Sequence, residues 1–294
     1  MTRRGLALLA LPAVWTLLFV AVPLGLIFKI SFAEPLLAQP PYSALFQPGE
    51  YGPVLKAHLD NYALIVSDPL YLRALGNSLL YASIATLCCL ALGLAIARAV
   101  SRVSANWQPL MLTLIILPFW TSFLIRVYAW IALLKPEGLI NEALMALGLI
   151  DTPLIMINTG FGIVVGMTYT YLPFAILPIY ASLVGQSPRL AEAAIDLGAS
   201  PLRAFWLVTV PLARPGILAA ALMVFIPTVG EFVIPDLLGG SATIMLGQAL
   251  WTEFFSNRDW TMASALAVLL TALLLAPALW LQRLELGGKP GVQS

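Results

Sequence analysis

Ser187-Pro188-Arg189-Leu190-Ala191-Glu192-Ala193-Ala194-Ile195-Asp196-Leu197-Gly198-Ala199-Ser200 is the stretch around which the rest of the chain arranges itself. Pro188 suits the first turn of a helix, where its missing N–H has no intrahelical partner to lose, and Gly198 suits a helix stop. Between them Leu190, Ala194 and Leu197 share one face, while Glu192 and Asp196 stand four residues apart on another. The spacing predicts a short amphipathic helix, followed by a second amphipathic stretch from Pro201 to Val210 that enters Pro211. Such a segment can lie solvated on a membrane surface. It is also small enough, with its alanines and one acidic face, to be accepted by a partner's groove.

On both sides of this segment the chain is strongly apolar. It is 61% hydrophobic and 10% charged, with a mean hydropathy of +0.94, against about 45–50% apolar and about 25% charged in soluble domains. No core of a 294-residue soluble protein hides that much apolar surface. A helix needs roughly 20 apolar residues to cross the hydrocarbon core. Six windows qualify, at about 6–31, 75–97, 108–134, 159–184, 210–235 and 261–282. The expected fold is therefore an all-α membrane protein with six transmembrane helices. The first window, Leu6 to about Ile30, is too long for a signal-peptide core and reads as a retained span.

Charge placement orients the chain. With the N-terminus in the cytoplasm, Arg3, Arg4, Arg98, Arg102, Arg189, Arg203, Arg214, Arg283 and Lys289 lie inside. Lys29, Lys56, Arg73, Arg126, Lys135 and Arg258 lie outside or at outer helix ends, a bias of 9 to 6. The carboxylates are more lopsided: Glu192, Asp196 and Glu285 are inside and the other 11 of 14 outside. A negative outer face attracts a cationic solute. The outer segment from His58 through Leu75 reads as one or two amphipathic helices broken at Asp68-Pro69, with His58, the chain's only histidine, on solvated surface. Pro118, Pro173, Pro178 and Pro227 interrupt spans, as in helices surrounding a pathway. Gly162 and Gly166 form a GxxxG pair suited to close helix packing.

The sequence also excludes function classes. It holds no phosphate-binding loop, no HExxH, no cysteine–histidine cluster and no nucleophile elbow. Cys88 and Cys89 are adjacent in an apolar run and read as small core side chains, so no metal site or cofactor is expected. A net charge of +1 argues against nucleic-acid binding. An intramembrane enzyme working through carboxylates is the remaining catalytic alternative, and no catalytic residue is assigned.

Glu192-Ala193-Ala194, then Gly198, then Val210-Pro211-Leu212 resembles the EAA motif of permease subunits of binding-protein-dependent ABC importers. The resemblance implies the type I ABC importer permease fold, in the bacterial inner membrane with both termini cytoplasmic. It makes 187–200 a coupling loop that docks on a separate, homodimeric cytoplasmic ATPase, with Glu192, Ala193, Ala194, Asp196 and Gly198 as its coupling residues. It divides the chain into a first helix and periplasmic segment (1–72), a permease core (73–283) and a short tail (284–294). A second, non-identical permease and a periplasmic binding protein complete the implied assembly.

Further stretches resemble polyamine importer permeases: Leu117-Pro118-Phe119-Trp120-Thr121-Ser122-Phe123-Leu124-Ile125-Arg126-Val127-Tyr128-Ala129-Trp130, Gly230-Glu231-Phe232-Val233-Ile234-Pro235-Asp236-Leu237-Leu238-Gly239-Gly240, Asn257-Arg258-Asp259-Trp260 and Asp60-Asn61-Tyr62. Together they cover about 58 to 282, with putrescine the implied solute and spermidine or another cationic amine the alternative. An ion-gradient-driven secondary transporter is the rival from another class.

A polyamine needs carboxylates for its ammonium groups and aromatic faces for both charge and alkyl chain. Trp120, Tyr128, Tyr169, Tyr171 and Trp251 are the candidate aromatics, and Glu231, Asp236, Glu253 and Asp259 the candidate acids. Tryptophan and tyrosine also collect at bilayer interfaces without lining any pathway. Ionisable groups within spans are costly and are usually paired. Arg126 and Glu231, at similar depth, are therefore expected to pair with each other, or with nearby Asp236.

Overall fold

The computed structural model describes residues 3–49 and 52–287. The chain forms two compact units, one from its two ends (described residues up to Arg73 and from Leu246) and one from Ala74–Met245. Helix α1 (Arg3–Thr16) runs through a five-residue π turn into α2 (Val22–Ile30). A short antiparallel hairpin comes next, Phe46–Gly49 against Gly52–Leu55. The fold class is all-α as expected, and this hairpin of four-residue strands is its one pair of named strands among the described residues.

Helix α3 (Asp60–Ser67) is fastened to the end of α2. Asn61 donates to the Ser31 and Ala33 carbonyls at 3.1 and 3.3 Å, and the Tyr62 hydroxyl donates to Ser31 Oγ at 2.8 Å. These bonds give Asp60-Asn61-Tyr62 a structural role. His58 is not free surface: its Nε2 lies 3.2 Å from Glu34 Oε1, and its backbone N–H donates to Phe32. The expected break at Asp68-Pro69 is present, since Asp68 is extended and accepts from the Leu70 N–H at 2.8 Å. Beyond the break the chain departs from expectation. Pro69 starts α4 (Pro69–Arg102), one continuous 34-residue helix, with no separate outer helix before the span.

Helix α5 (Gln108–Ile116) tightens into a 3₁₀ turn at Leu117–Trp120, and α6 (Phe123–Leu134) and α7 (Leu139–Ala146) come after it. The chain bends by 88° between these two pairs. Pro118 supplies no N–H, and Thr121 and Ser122 leave helical geometry altogether. Helix α8 (Gly160–Val184) runs on through Pro173 and Pro178. After α9 (Pro188–Asp196) come α10 (Pro201–Ala204), a π turn at Phe205–Thr209, α11 (Val210–Leu212) and α12 (Arg214–Val229). The bend at Ala213 is 69°. Helix α13 (Val233–Leu238) ends this unit, and α14 (Leu246–Trp251) and α15 (Trp260–Gly287) belong to the other.

All six apolar windows are thus helical, but they do not make six uniform spans. Ala10–Ile30, Pro69–Arg102 and Gly160–Val184 are long and apolar enough to cross a bilayer, and the count rises to five if each bent pair is one span. The apolar part of α15, Trp260–Ala276, is shorter. Of the expected tail 284–294, residues 288–294 lie outside the described residues.

The Ala74–Met245 unit has two buried clusters. One gathers Val127, Leu134, Met156, Ile163, Met167, Ile234, Leu238 and Met245. The other sets small residues, Cys89, Ala97, Ala175, Ala213 and Ala220, among the larger Ile176, Ile179, Leu183 and Val224, and the small ones let backbones approach closely. Cys89 is buried there as a core side chain, and its thiol reaches the Thr168 carbonyl at 3.4 Å. The GxxxG pair finds its neighbour in α13. A Cβ at Gly166 would lie 2.6 Å from Leu238 Cδ1, and one at Gly162 would lie 3.1 Å from the Leu238 carbonyl.

Buried Asn141 is not marked by its sequence context. Its amide donates to the Lys135 and Leu154 carbonyls at 3.1 and 3.0 Å, and its oxygen accepts from the Leu154 N–H at 2.8 Å. It therefore closes the 135–154 segment on itself. Asn141→Leu removes the acceptor of the Leu154 N–H and the donor of two carbonyls from a buried position, so thermal unfolding of the purified protein should show a loss of about 1–3 kcal/mol. An unchanged midpoint would mean that the segment is held without it.

Candidate functional site

Two regions carry the residues singled out by sequence. The first is the loop containing α9. Ser187 is extended (ψ 123°) and Pro188 opens the helix. At its other end the Ala199 N–H donates to the Ala194 carbonyl at 3.0 Å, and the Gly198 N–H to the Ile195 carbonyl at 2.9 Å. This pair of bonds is the Schellman stop, which needs a left-handed residue just past the helix; Gly198 supplies it at φ +93°. The next turn is capped by Ser200, whose hydroxyl accepts from the Arg203 N–H at 3.3 Å.

The apolar side of α9 is not buried by this chain. Leu197 is 90% exposed and Leu190 51%, while Ala194 is half-buried; Ile195, on another side of the helix, is exposed as well. Glu192, Ala193 and Asp196 are exposed too. An amphipathic helix with well-formed ends and an unburied apolar side presents a surface to something outside the chain.

The second region lies between α6, α8 and α13. Here Arg126 and Glu231 do not pair. The Glu231 carboxylate accepts the Tyr171 hydroxyl with one oxygen. Its other oxygen takes the backbone N–H groups of Phe232 and Val233 at 3.1 and 3.0 Å. Glu231 is thereby committed to starting α13 immediately after α12 ends at Gly230. The Arg126 guanidinium instead faces rings, with Cζ 4.7 Å from the Phe119 centroid and 5.9 Å from that of Phe123. Its Nε and Nη1 are buried without a hydrogen-bond partner. Phe119 packs edge-on against Phe174 at 5.4 Å, and Phe174 lies 6.2 Å from Tyr171. A row of three rings, and not an ion pair, connects Arg126 to Glu231. Phe119 and Phe174 carry no polar handle; Phe119 falls within the 117–130 stretch singled out above, and Phe174 falls in none of those stretches.

The other expected pathway residues do not gather into one constellation. Tyr169 packs edge-on against Trp130 at 5.5 Å. Trp120 and Tyr128 are largely exposed, at 78% and 58%. Asp236 sits in the first turn of α13.

In the unit formed by the chain ends, Glu253 accepts from the Tyr71 hydroxyl and the Asn257 amide, both at 2.8 Å. Asp259 caps α15, accepting from the Thr261 hydroxyl at 2.7 Å and the Met262 N–H at 2.9 Å. Trp251 packs at a tilt against Phe255, with centroids 4.0 Å apart. Trp260 stacks on Phe254, and Arg258 adopts φ +55°. The Asn257-Arg258-Asp259-Trp260 stretch is thus a helix-starting corner, and Glu253 and Asp259, like Glu231, hold the chain's own donors. No group of three metal-ligating side chains occurs among the described residues.

The chain as a whole is similar to known proteins. Residues 89–285 match the family described as binding-protein-dependent transport system inner membrane component. The spermidine/putrescine transport system permease protein PotB of Haemophilus influenzae is 35% identical over 260 residues, 88% of this chain and 86% of that one. PotB of Escherichia coli strain K12 is 41% identical over 213 residues, 72% of this chain and 77% of that one. Among solved structures, a bacterial ABC transporter involved in import of the acidic polysaccharide alginate superposes with a TM-score of 0.69 at 16% identity, covering 97% of this chain and 95% of its own. At that identity the superposition speaks to fold alone: it is the ABC importer permease fold. The chain belongs to the family of binding-protein-dependent transport system inner membrane components.

Proposed function

We propose that this chain is one half of a heterodimeric pore that imports a polyamine, driven by ATP hydrolysis on a separate pair of cytoplasmic subunits. The identity to spermidine/putrescine permeases over most of both chains supports the solute class. The observation that carries the mechanism is the unburied side of α9. Leu190, Ala194 and Leu197 form the apolar face with which an ATPase would be engaged, Glu192 stands on another exposed face of the same short helix, and Gly198 sets where the helix ends. Closure of the ATPases would push α9, and the helical path through Val210-Pro211-Leu212 into α12 would carry the displacement to the permease core at 73–283.

In this reading the chain crosses the inner membrane six times, with each bent pair and α15 counted as spans. Both termini and the 187–200 loop face the cytoplasm, and residues 1–72 supply a first helix and a periplasmic segment. A periplasmic binding protein delivers the solute and sets most of the specificity. The permease then needs only weak, multiple contacts, since a pathway that binds tightly does not release. Trp120, Tyr128, Tyr169 and Asp236 are the proposed contacts, and Glu231 is assigned to holding α13.

Putrescine is the proposed solute and spermidine the second reading, favoured by the double name of the relatives. Uptake of labelled putrescine and spermidine by the assembled importer, with its own binding protein, tests both. Saturable, ATP-dependent uptake of either supports the polyamine assignment, and the one with the higher Vmax/KM names the solute. Uptake that persists without the ATPase would sink the mechanism.

A further inference from the structure

A cavity of about 290 Å³ opens where the end of α4, the start of α5, the end of α8 and the first turn of α9 meet. Arg98, Ser101, Arg102, Gln108, Gln186 and Ser187 line it, together with Phe205, and no aspartate or glutamate is among its lining residues. Two guanidinium groups therefore share a pocket that supplies no counter-charge. Neither forms an ion pair among the described residues.

Arg98 is held in place, with Cζ 3.6 Å from the centre of the Phe205 ring. A stacked guanidinium keeps its edge N–H groups available for a planar or tetrahedral anion. Arg102 stands in the last turn of α4, where the carbonyl end of the helix favours a cation. The two glutamines are already bonded within the chain. Gln108 donates to the Val103 carbonyl at 2.9 Å and accepts from Tyr180 at 2.7 Å, and Gln186 donates to the Thr209 carbonyl at 3.3 Å. The walls are thus built and the arginines left to bind. Ser187 adds an uncommitted hydroxyl: it makes no capping bond to the start of α9.

Depth identifies the anion. The cavity lies where the long apolar helix α4 ends, and the tryptophans nearby in sequence, Trp107 and Trp206, are 56% and 54% exposed. Exposed tryptophan at the end of an apolar span marks the headgroup layer. We propose that this cavity binds the phosphate of an anionic phospholipid headgroup, and so places a lipid against Ser187, Pro188 and Ala191 of the coupling loop. A free phosphate offers the same chemistry from solution. The proposal rests on the cytoplasmic, membrane-surface placement of the 187–200 loop, and it adds a lipid dependence that placement does not require.

Native mass spectrometry of the detergent-purified importer, with its ATPase and second permease, tests it with three probes: phosphatidylglycerol, phosphatidylcholine and inorganic phosphate. The parent complex should retain phosphatidylglycerol over phosphatidylcholine by about tenfold, because phosphatidylcholine sets a quaternary ammonium beside the same phosphate and the arginine pair repels it. Arg98→Gln with Arg102→Gln should abolish the preference, and Arg98→Lys with Arg102→Lys should keep most of it. Arginine-dependent retention of either anion supports the site, and the probe retained names the source. Equal retention by parent and glutamine variant overturns it. So does loss of the ATPase from the glutamine variant with lipid retention unchanged, since the arginines would then serve a carboxylate of that subunit. ATPase recovery is scored in the same preparations. Its absence from the parent complex would count against the coupling-loop reading, independently of the lipid result.

Discussion

Gly198→Val should reduce ATP-driven uptake to below about a tenth of the parent level while the protein still inserts in the membrane and reaches normal abundance. The reason is local. Gly198 adopts φ +93°, and the helix stop depends on that conformation to aim the Gly198 and Ala199 N–H groups back at Ile195 and Ala194. A side chain in the left-handed region costs about 1–2 kcal/mol, and a β-branched one is least tolerated there. Nothing lies within 4 Å of a Cβ built at Gly198, so the penalty comes from the backbone and not from a clash. The residue responds by leaving the left-handed region, which redirects the chain into Ser200 and tilts α9. Because about 1.4 kcal/mol is tenfold in an equilibrium, docking weakens by an order of magnitude or more. Gly198→Asn is the control, since asparagine tolerates the left-handed region, and it should retain most uptake. Co-purification of the ATPase should track uptake across the pair. Equal uptake by the valine and asparagine variants would show that the end of α9 does not set the docking geometry. Glu192→Ala probes a different point. It leaves the helix ends intact, so a defect there would come from the exposed carboxylate alone.

This loop is legible in the sequence because its determinants are local. Pro188 and Gly198 each specify a backbone conformation, and both helix ends fall where those residues place them. The apolar windows are legible as helices for a similar reason, since length and composition decide them. The bends are not. Pro173 and Pro178 lie inside α8 without ending it, whereas Pro118 precedes an 88° bend. A proline removes one hydrogen bond in either case, and surrounding contacts decide whether the chain turns. The hairpin is hidden by its own residues, because Pro48 and Pro53 face each other across it and proline argues against a strand. The acids mislead for a further reason. A carboxylate in a sequence shows charge but not its acceptor load, and Glu231, Glu253 and Asp259 spend theirs on donors of this chain. For Asp259 the clue is present: it stands just before the apolar run that becomes α15, the position of a helix cap.

Glu231 gives the second large expectation, and its variants separate a structural acid from a solute-binding one. Glu231→Ala withdraws the acceptor of the Tyr171 hydroxyl and of the Val233 N–H. Each buried donor so deprived costs about 1–3 kcal/mol. Thermal stability should fall by roughly 2–5 kcal/mol, and uptake should be nearly lost as α13 leaves its seat on Gly162 and Gly166. Glu231→Gln keeps one oxygen for the backbone N–H groups and turns its amide toward the tyrosine oxygen, which can accept. Its stability should fall by no more than about 1 kcal/mol, and its KM should stay within about twofold of the parent. Tyr171→Phe removes the same bond from the other side. Combined with Glu231→Ala it should cost less than the two changes added separately, because both delete the Tyr171–Glu231 bond. The opposite pattern is equally readable. If Glu231→Gln raises KM tenfold at unchanged stability, the carboxylate charge is meeting the cation, and Tyr171 is only holding it ready. The geometry favours the first outcome, since a carboxylate already accepting three hydrogen bonds would have to surrender the start of α13 to bind an ammonium group.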